Sequence, residues 1–160
     1  MKRLLSVVLL LSLTLLSGTA YAQSLKRVTL DYCSINLPSD IRLIDQQSEG
    51  DIVARNYVNA YNTFECTYCT FPLDEEFNIY DRLYGEAMQL GIDVDQTGYL
   101  SVATGTPDQL LFTIAELGSC SVIVGIFPHY NRGRGTFLCL VDQGCNTQLL
   151  IEMISSFRLR

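Results

Sequence analysis

Tryptophan is absent from this 160-residue sequence, histidine occurs once, at His129, and there is no Asn-x-Ser/Thr sequon. The lack of tryptophan weakens an assignment as a carbohydrate-binding protein, and the lack of a sequon argues against N-glycosylation. No Gly-x-Ser-x-Gly motif, second histidine or evident pair of catalytic carboxylates is present. Because nucleophilic and acid–base catalysis depend on such groups, the sequence favours a non-enzymatic protein. It predicts no cofactor and no metal site.

Basic residues are also scarce. Lys2 and Arg3 fall in the leader described below, so the remaining chain has nine Lys and Arg against seventeen Asp and Glu, a net charge of −8. Such a surface repels phosphate backbones and anionic lipid headgroups. Nucleic acid and membrane surfaces are therefore not expected as partners.

The sequence has one long apolar run, at 4–16, which follows Lys2 and Arg3 and precedes a small-x-small site at 20–22. This pattern is typical of a secretory signal peptide, and the run is too short for a membrane span. No cysteine follows the cleavage site, which argues against a lipid anchor. We expect a signal peptide at 1–22 and a single domain at 23–160, secreted or periplasmic and not inserted in a membrane.

Six cysteines lie beyond the leader, and an oxidising compartment favours their pairing. A chain of this size also buries enough surface to fold without covalent help, so we expect structural disulfides as additional support. Fifteen connectivities are possible. Cys120 could contact Cys139 across neighbouring strands, and Cys145 could bond to Cys139, Cys33 or Cys69. The disulfide candidates are Cys33, Cys66, Cys69, Cys120, Cys139 and Cys145.

Alternating apolar residues and turn signals predict mostly strands. Phe64, Cys66 and Tyr68 should lie on one face of a strand, with Cys69 on the other. A hairpin is expected around the polar stretch 45–51. The predicted strands are 28–33, 41–44, 52–58, 63–71, 98–104, 120–127 and 136–141.

Two helices are expected. The first is capped by Asp74, ends at Gly91 and has an apolar stripe of Tyr80, Leu83, Tyr84, Ala87 and Leu90, which we interpret as core. The second begins after Asn146 and has apolar residues at Leu150, Met153, Ile154 and Phe157. The segment 106–117 stays open between helix and strand, because Thr106 and Pro107 suit a helix start whereas 112–114 favours a strand.

This order predicts an α+β fold, an antiparallel sheet with two main helices packed on one face. The element order and the terminal Ile154-Ser155-Ser156-Phe157 segment resemble the PsbP/Mog1-type fold. The resemblance implies a fold and no activity.

Cys66-Thr67-Tyr68-Cys69 matches the C-x-x-C spacing of redox-active pairs, so a thiol-disulfide oxidoreductase is the alternative function. On a strand, however, residues three apart lie about 10 Å apart, too far for a disulfide. A zinc site from Cys66, Cys69, Cys139 and Cys145 would need an unusually long second spacing. Structural pairing with other cysteines is the favoured interpretation.

Two further patterns have ordinary explanations. The segment 93–98 resembles the start of a calcium loop, but Thr104 stands where a bidentate Glu is needed. The segment 56–62 interleaves tyrosine and asparagine and could bind a ligand, although an edge strand and turn account for it equally well.

The strongest candidate binding patch is the loop 128–135, which is cationic on an acidic protein. His129, Tyr130, Arg132 and Arg134 could dock a carboxylate-bearing partner, or the glycines could simply shape a turn. We therefore expect an exported binding or accessory protein for an unknown protein or small ligand. An inhibitor or immunity-type protein acting through this loop is a further alternative.

Overall fold

This computed structural model describes residues 24–94, 97–101 and 109–160. Strands account for most of these residues. Residues 1–23, 95–96 and 102–108 lie outside these ranges. The ten strands are β1 (Leu25–Thr29), β2 (Cys33–Pro38), β3 (Arg42–Glu49), β4 (Ile52–Val58), β5 (Phe64–Pro72), β6 (Thr97–Ser101), β7 (Gln109–Leu117), β8 (Cys120–His129), β9 (Arg134–Asp142) and β10 (Arg158–Leu159). The helices are α1 (Ile79–Gln89) and α2 (Thr147–Ser155), and a 3-10 turn spans Tyr130–Arg132.

The strands form two antiparallel sheets. The larger sheet has seven strands in the order β3-β4-β5-β9-β8-β7-β6, and the smaller has three in the order β1-β2-β10. After β5 the chain crosses by way of α1 to the opposite edge of the large sheet and returns through β7 and β8 to β9. Strands from both halves of the sequence thus meet at the centre of the sheet.

The two faces of the large sheet are covered by different elements. One face packs against β2 and α2 in a core that includes Phe64, Tyr68, Phe127 and Phe157. The other face packs against α1 in a second core, to which Leu83 belongs. Alternation along the central strands β5, β8 and β9 sends successive side chains to opposite cores.

The predicted α+β class, antiparallel strands with two helices, is confirmed. The helices differ from the prediction in their placement, since they lie on opposite faces of the large sheet rather than together. The reason is the composition of the central strands. All ten residues of β8 are buried, so both faces need an apolar cover.

Two local predictions are resolved by strand pairing. The open segment 106–117 contains strand β7, which pairs with β6 on one side and β8 on the other; Thr106 and Pro107 lie outside the described residues. The expected polar loop at 45–51 is shorter than predicted. Strand β3 continues to Glu49, opposite Ile52, and Gly50 turns the chain at φ +56°.

Both helices are present, with one corrected boundary. Asn78, and not Asp74, caps α1, and its side-chain oxygen accepts from the backbone N–H groups of Tyr80 and Asp81. Asn146 caps α2 as predicted by accepting from the N–H of Leu149. The apolar face of α2 is buried in the first core, at Leu150, Met153 and Ile154, with Phe157 just beyond its end.

An ion pair within α1 lies next to the sheet. Arg82 Nη2 lies 2.8 Å from Glu86 Oε1, and the Glu86 side chain is buried. The guanidinium also lies 4.6 Å from the centre of the Phe71 ring on β5. Burial raises the pKa of the Glu86 carboxyl, and the charge of Arg82 offsets part of that effect.

We predict that Arg82→Leu destabilises the protein at pH 7 by about 1–2 kcal/mol, because it leaves the Glu86 carboxylate buried without a counter-charge. The value is at the low end for buried pairs because Arg82 is one-third exposed. A carboxyl with a raised folded-state pKa contributes stability at low pH that is lost as the pH rises through that pKa. The deficit should therefore shrink towards pH 4, as measured by urea unfolding across pH.

The matched control is Arg42→Leu, which removes an exposed arginine from the edge strand β3. Its stability should stay within about 0.5 kcal/mol of the parent. A deficit for Arg82→Leu that is the same at pH 4 and pH 7 would contradict the role given to the Glu86 charge.

Candidate functional site

His129, the only histidine, is a core residue rather than an exposed loop residue. It ends β8, is 4% exposed, and its Nε2 lies 2.8 Å from the Thr136 hydroxyl. Its ring meets Phe127 edge-on at 4.7 Å and Tyr32 at 5.4 Å. Tyr68 is completely buried in the same core, and burial raises its pKa well above the usual range. This arrangement fills the space between the two sheets.

The arginines of the loop 128–135 bind other parts of the chain. Arg132 Nη2 donates to the backbone oxygen of Arg160 at 2.7 Å. Arg134 Nη1 donates to the backbone oxygen of Asp51 at 2.7 Å, with Nη2 3.6 Å from the carboxylate of Asp51. Tyr130 stays 59% exposed. The two cations therefore fasten the loop to the C-terminus and to the β3–β4 turn, and docking of an acidic partner here stays a prediction.

The asparagines and tyrosines of 56–62 have mostly structural contacts. The Asn59 side-chain oxygen accepts from the N–H groups of Thr63 and Phe64 and so closes the β4–β5 turn. Asn56 is buried and accepts from the hydroxyl of Thr67 on β5. Tyr61, at the tip of the turn, is 76% exposed.

Cys66 and Cys69 lie on opposite faces of β5, one in each core. The alternation predicted for this strand is therefore present. Both thiols are buried, and burial raises the pKa of Cys66 and brings that of Cys69 to about 11. A redox pair needs adjacent sulfurs and a stabilised thiolate. This geometry supplies neither.

The six cysteines are free thiols in the structure. Five are buried, and only Cys145 is exposed. Burial also raises the pKa of Cys33 and brings that of Cys139 to about 12. Structural disulfides stay a prediction.

Within the described ranges, no three His, Cys, Asp or Glu side chains are grouped closely enough to hold a metal ion. The calcium-like segment 93–98 includes Asp95 and Gln96, which lie outside those ranges. No helix in the described part of the chain has the length and apolar character needed to cross a membrane.

One exposed surface of α1 differs from the sequence-based prediction. Tyr80, Tyr84 and Met88 are 54%, 53% and 62% exposed. Spaced four residues apart on α1, they form one line along the helix, which we call the α1 stripe. The expectation that Tyr80 and Tyr84 belong to the core is wrong. Leu83 and Ala87 form the buried line instead, because that side of the helix meets β7 and β8.

Acidic residues surround the start of the α1 stripe. The exposed acids nearby are Asp74, Glu75, Glu76 and Asp81. Arg82 is the only basic residue between 73 and 91, and its charge is paired with Glu86. The surface therefore combines exposed aromatic and thioether groups with unbalanced negative charge. The four-residue spacing could have suggested the line, but only the packing shows which line faces solvent.

Comparison with known proteins gives fold-level similarities only. A Bacteroides thetaiotaomicron VPI-5482 crystal structure matches with a TM-score of 0.47 and 13% identity over 80% of this chain and 45% of that chain. The Saccharomyces cerevisiae Ran-binding protein Mog1p matches with a TM-score of 0.48 and 12% identity, over 86% of this chain and 96% of that chain. A mutant of Mog1 matches with a TM-score of 0.47 and 12% identity, over 85% and 96%.

No protein-family model matches the sequence, and a search of curated proteins finds no significant match. The present chain spans less than half of the Bacteroides chain. At these TM-scores and identities, the similarities carry no argument about the function of this chain.

Thiol reactivity checks the assignment of the cysteines. In the reduced protein at pH 8, we predict that Cys145 reacts with a disulfide reagent such as DTNB at least about tenfold faster than any other cysteine, since it alone is exposed and thiolates are the reactive species. Absorbance gives the rates, and mass spectrometry of the labelled peptides gives the sites. Cys145→Ser should remove the fast phase. Fast labelling at Cys66 or Cys69 would instead support the oxidoreductase alternative.

Proposed function

We propose that this protein is an exported, non-enzymatic binding or accessory protein that recognises a basic partner through the α1 stripe. The single observation that carries the proposal is the line of Tyr80, Tyr84 and Met88, each more than half exposed. When a partner covers large side chains in such a line, the burial of their apolar area stabilises the complex. Aromatic and methionine side chains are also enriched where proteins bind one another.

Charge specifies the kind of partner. The acids that precede and begin α1 favour a segment rich in lysine or arginine, since opposite charges steer the encounter. The exposed tyrosine rings offer faces on which a guanidinium or ammonium group can stack. Apolar side chains of the same segment would cover Met88. A basic amphipathic peptide combines these properties.

The loop 128–135 is a weaker candidate for recognition. Both of its arginines donate hydrogen bonds within the chain, and a partner that took them would have to replace those contacts. An acidic partner would also approach a chain whose residues 23–160 have a net charge of −8. These observations favour the α1 stripe over the loop.

Export is supported by the leader pattern at 1–22. When the full chain is produced in a bacterial host, we predict that the mature protein is recovered outside the cytoplasm with Gln23 as its first residue. Intact-mass measurement of periplasmic, medium and cytoplasmic fractions tests this. Recovery only as the uncleaved chain in the cytoplasm would contradict export and leave the binding measurement below unaffected.

Binding is tested with synthetic amphipathic peptides that carry lysine on one face and leucine on the other. We predict measurable binding by fluorescence anisotropy that weakens with added salt, and no binding of the same peptides with glutamate in place of lysine. Removing two anchors, in Tyr84→Ser/Met88→Ser, should weaken binding about tenfold or more, as expected for residues at the centre of an interface.

Two control variants separate the surfaces. Tyr61→Ser removes an exposed tyrosine from the β4–β5 turn and should leave affinity unchanged. Arg132→Ala/Arg134→Ala should also leave it unchanged. Equal loss in Tyr61→Ser, or binding of the glutamate peptides that depends on the two arginines, would contradict recognition through the α1 stripe.

A further inference from the structure

Cys120 and Cys145 flank one contact between β8 and the start of α2. Cys120 is the first residue of β8, and Cys145 immediately precedes Asn146, the cap of α2. The residue after Cys120, Ser121, has its hydroxyl 2.8 Å from that of Thr147, the first residue of α2. The two chain segments that carry these cysteines are therefore in direct contact.

A single residue of β9 organises both segments. Asp142 pairs with Ser121 in the sheet. Its side chain accepts from the N–H of Asn146 at 2.8 Å, and its backbone oxygen accepts from the N–H of Cys145 at 3.4 Å. These bonds hold the turn 143–146 next to the beginning of β8, where Cys120 lies.

The other four cysteines lie in different places. Cys33 and Cys66 belong to the core under β2 and α2, whereas Cys69 and Cys139 belong to the core under α1. The thiol of Cys145 is close enough to contribute to the raised pKa of Cys120, to which burial contributes most. Of the other five cysteines, Cys120 is thus the one whose chain segment contacts the segment that carries Cys145.

The turn is also exposed and strained at Cys145. Cys145 is exposed, next to Gly144, and has a left-handed backbone at φ +52°, which costs free energy for a residue with a side chain.

We propose that Cys120 and Cys145 form a disulfide that links the beginning of α2 to β8 in the exported protein. This pairing rests on the proposed export, because export supplies the oxidising environment. The thiolate of Cys145 attacks a disulfide oxidant, such as oxidised glutathione or a protein disulfide, and releases one thiol. The thiolate of Cys120 then attacks the sulfur of Cys145 in the mixed disulfide and releases the second thiol. Two protons and two electrons leave the protein, and one S–S bond forms.

The pairing is tested in a glutathione redox buffer, so that it does not depend on export. The full chain is expressed, intact mass records whether the leader has been removed, and the protein is reduced and then reoxidised. After free thiols are blocked, cleavage before aspartate and after arginine separates Cys139 from Cys145, because Asp142 lies between them. We expect a cross-linked peptide that joins Cys120 to Cys145. Linkage of Cys145 to any other cysteine, or a Cys145 that stays free or bound to glutathione, would overturn the proposal.

Stability gives an independent measurement. The disulfide closes the loop 120–145, which should raise the thermal midpoint of oxidised protein by about 10 °C relative to oxidised Cys145→Ser. Gln143→Ser, a control in the same turn, should keep the full midpoint. An equal midpoint for Cys145→Ser and the parent would overturn the proposal. Since Cys145 is exposed, its substitution does not disturb the core.

Discussion

Burial of both faces of strands β5, β8 and β9 is the constraint on which the rest of this structure depends. These strands lie at the centre of the large sheet and carry apolar side chains on both sides, with β8 buried along its whole length. A sheet of this kind has to be covered twice. The chain achieves this by placing α1 on one face and the small sheet with α2 on the other. The chain crosses through α1 to the far edge of the large sheet, and its last strand, β10, pairs with β2 in the small sheet.

The same constraint determines where the titratable groups lie. Cys66, Cys69 and Cys139 are at interior positions of central strands, and His129 is the last residue of one. All four are buried. Desolvation then raises the pKa of the three thiols. These candidate chemical groups are therefore buried, and the exposed cysteine is Cys145, in the turn before α2.

The exposed surface of α1 is a consequence of the way it packs. A helix laid on a sheet buries one side, and here that side is the line of Leu83 and Ala87 with Glu86 beside it. Arg82 is directed toward Phe71 and Glu86, so its charge is not available to the adjacent acids. The tyrosines and Met88 stay in contact with solvent. Apolar area and negative charge on one helix are what support recognition of a basic partner.

Much of the secondary structure follows from the sequence, because local patterns carry it. The alternation at 64–69, the asparagine cap of α2 and its apolar face at Leu150, Met153 and Ile154 are all local signals, and all are present in the fold. The class of fold also follows from the order of elements.

Other features depend on contacts between distant residues. Whether 109–117 forms a strand was decided by its neighbours β6 and β8, which satisfy its backbone hydrogen bonds on both sides. The packing of the elements determines which line of α1 is buried. It also determines the burial of His129 against Thr136 and the proximity of Cys145 to Cys120. A periodic pattern gives the faces of an element, but only the tertiary structure decides which face meets the sheet, because that choice is made by the partner that covers it.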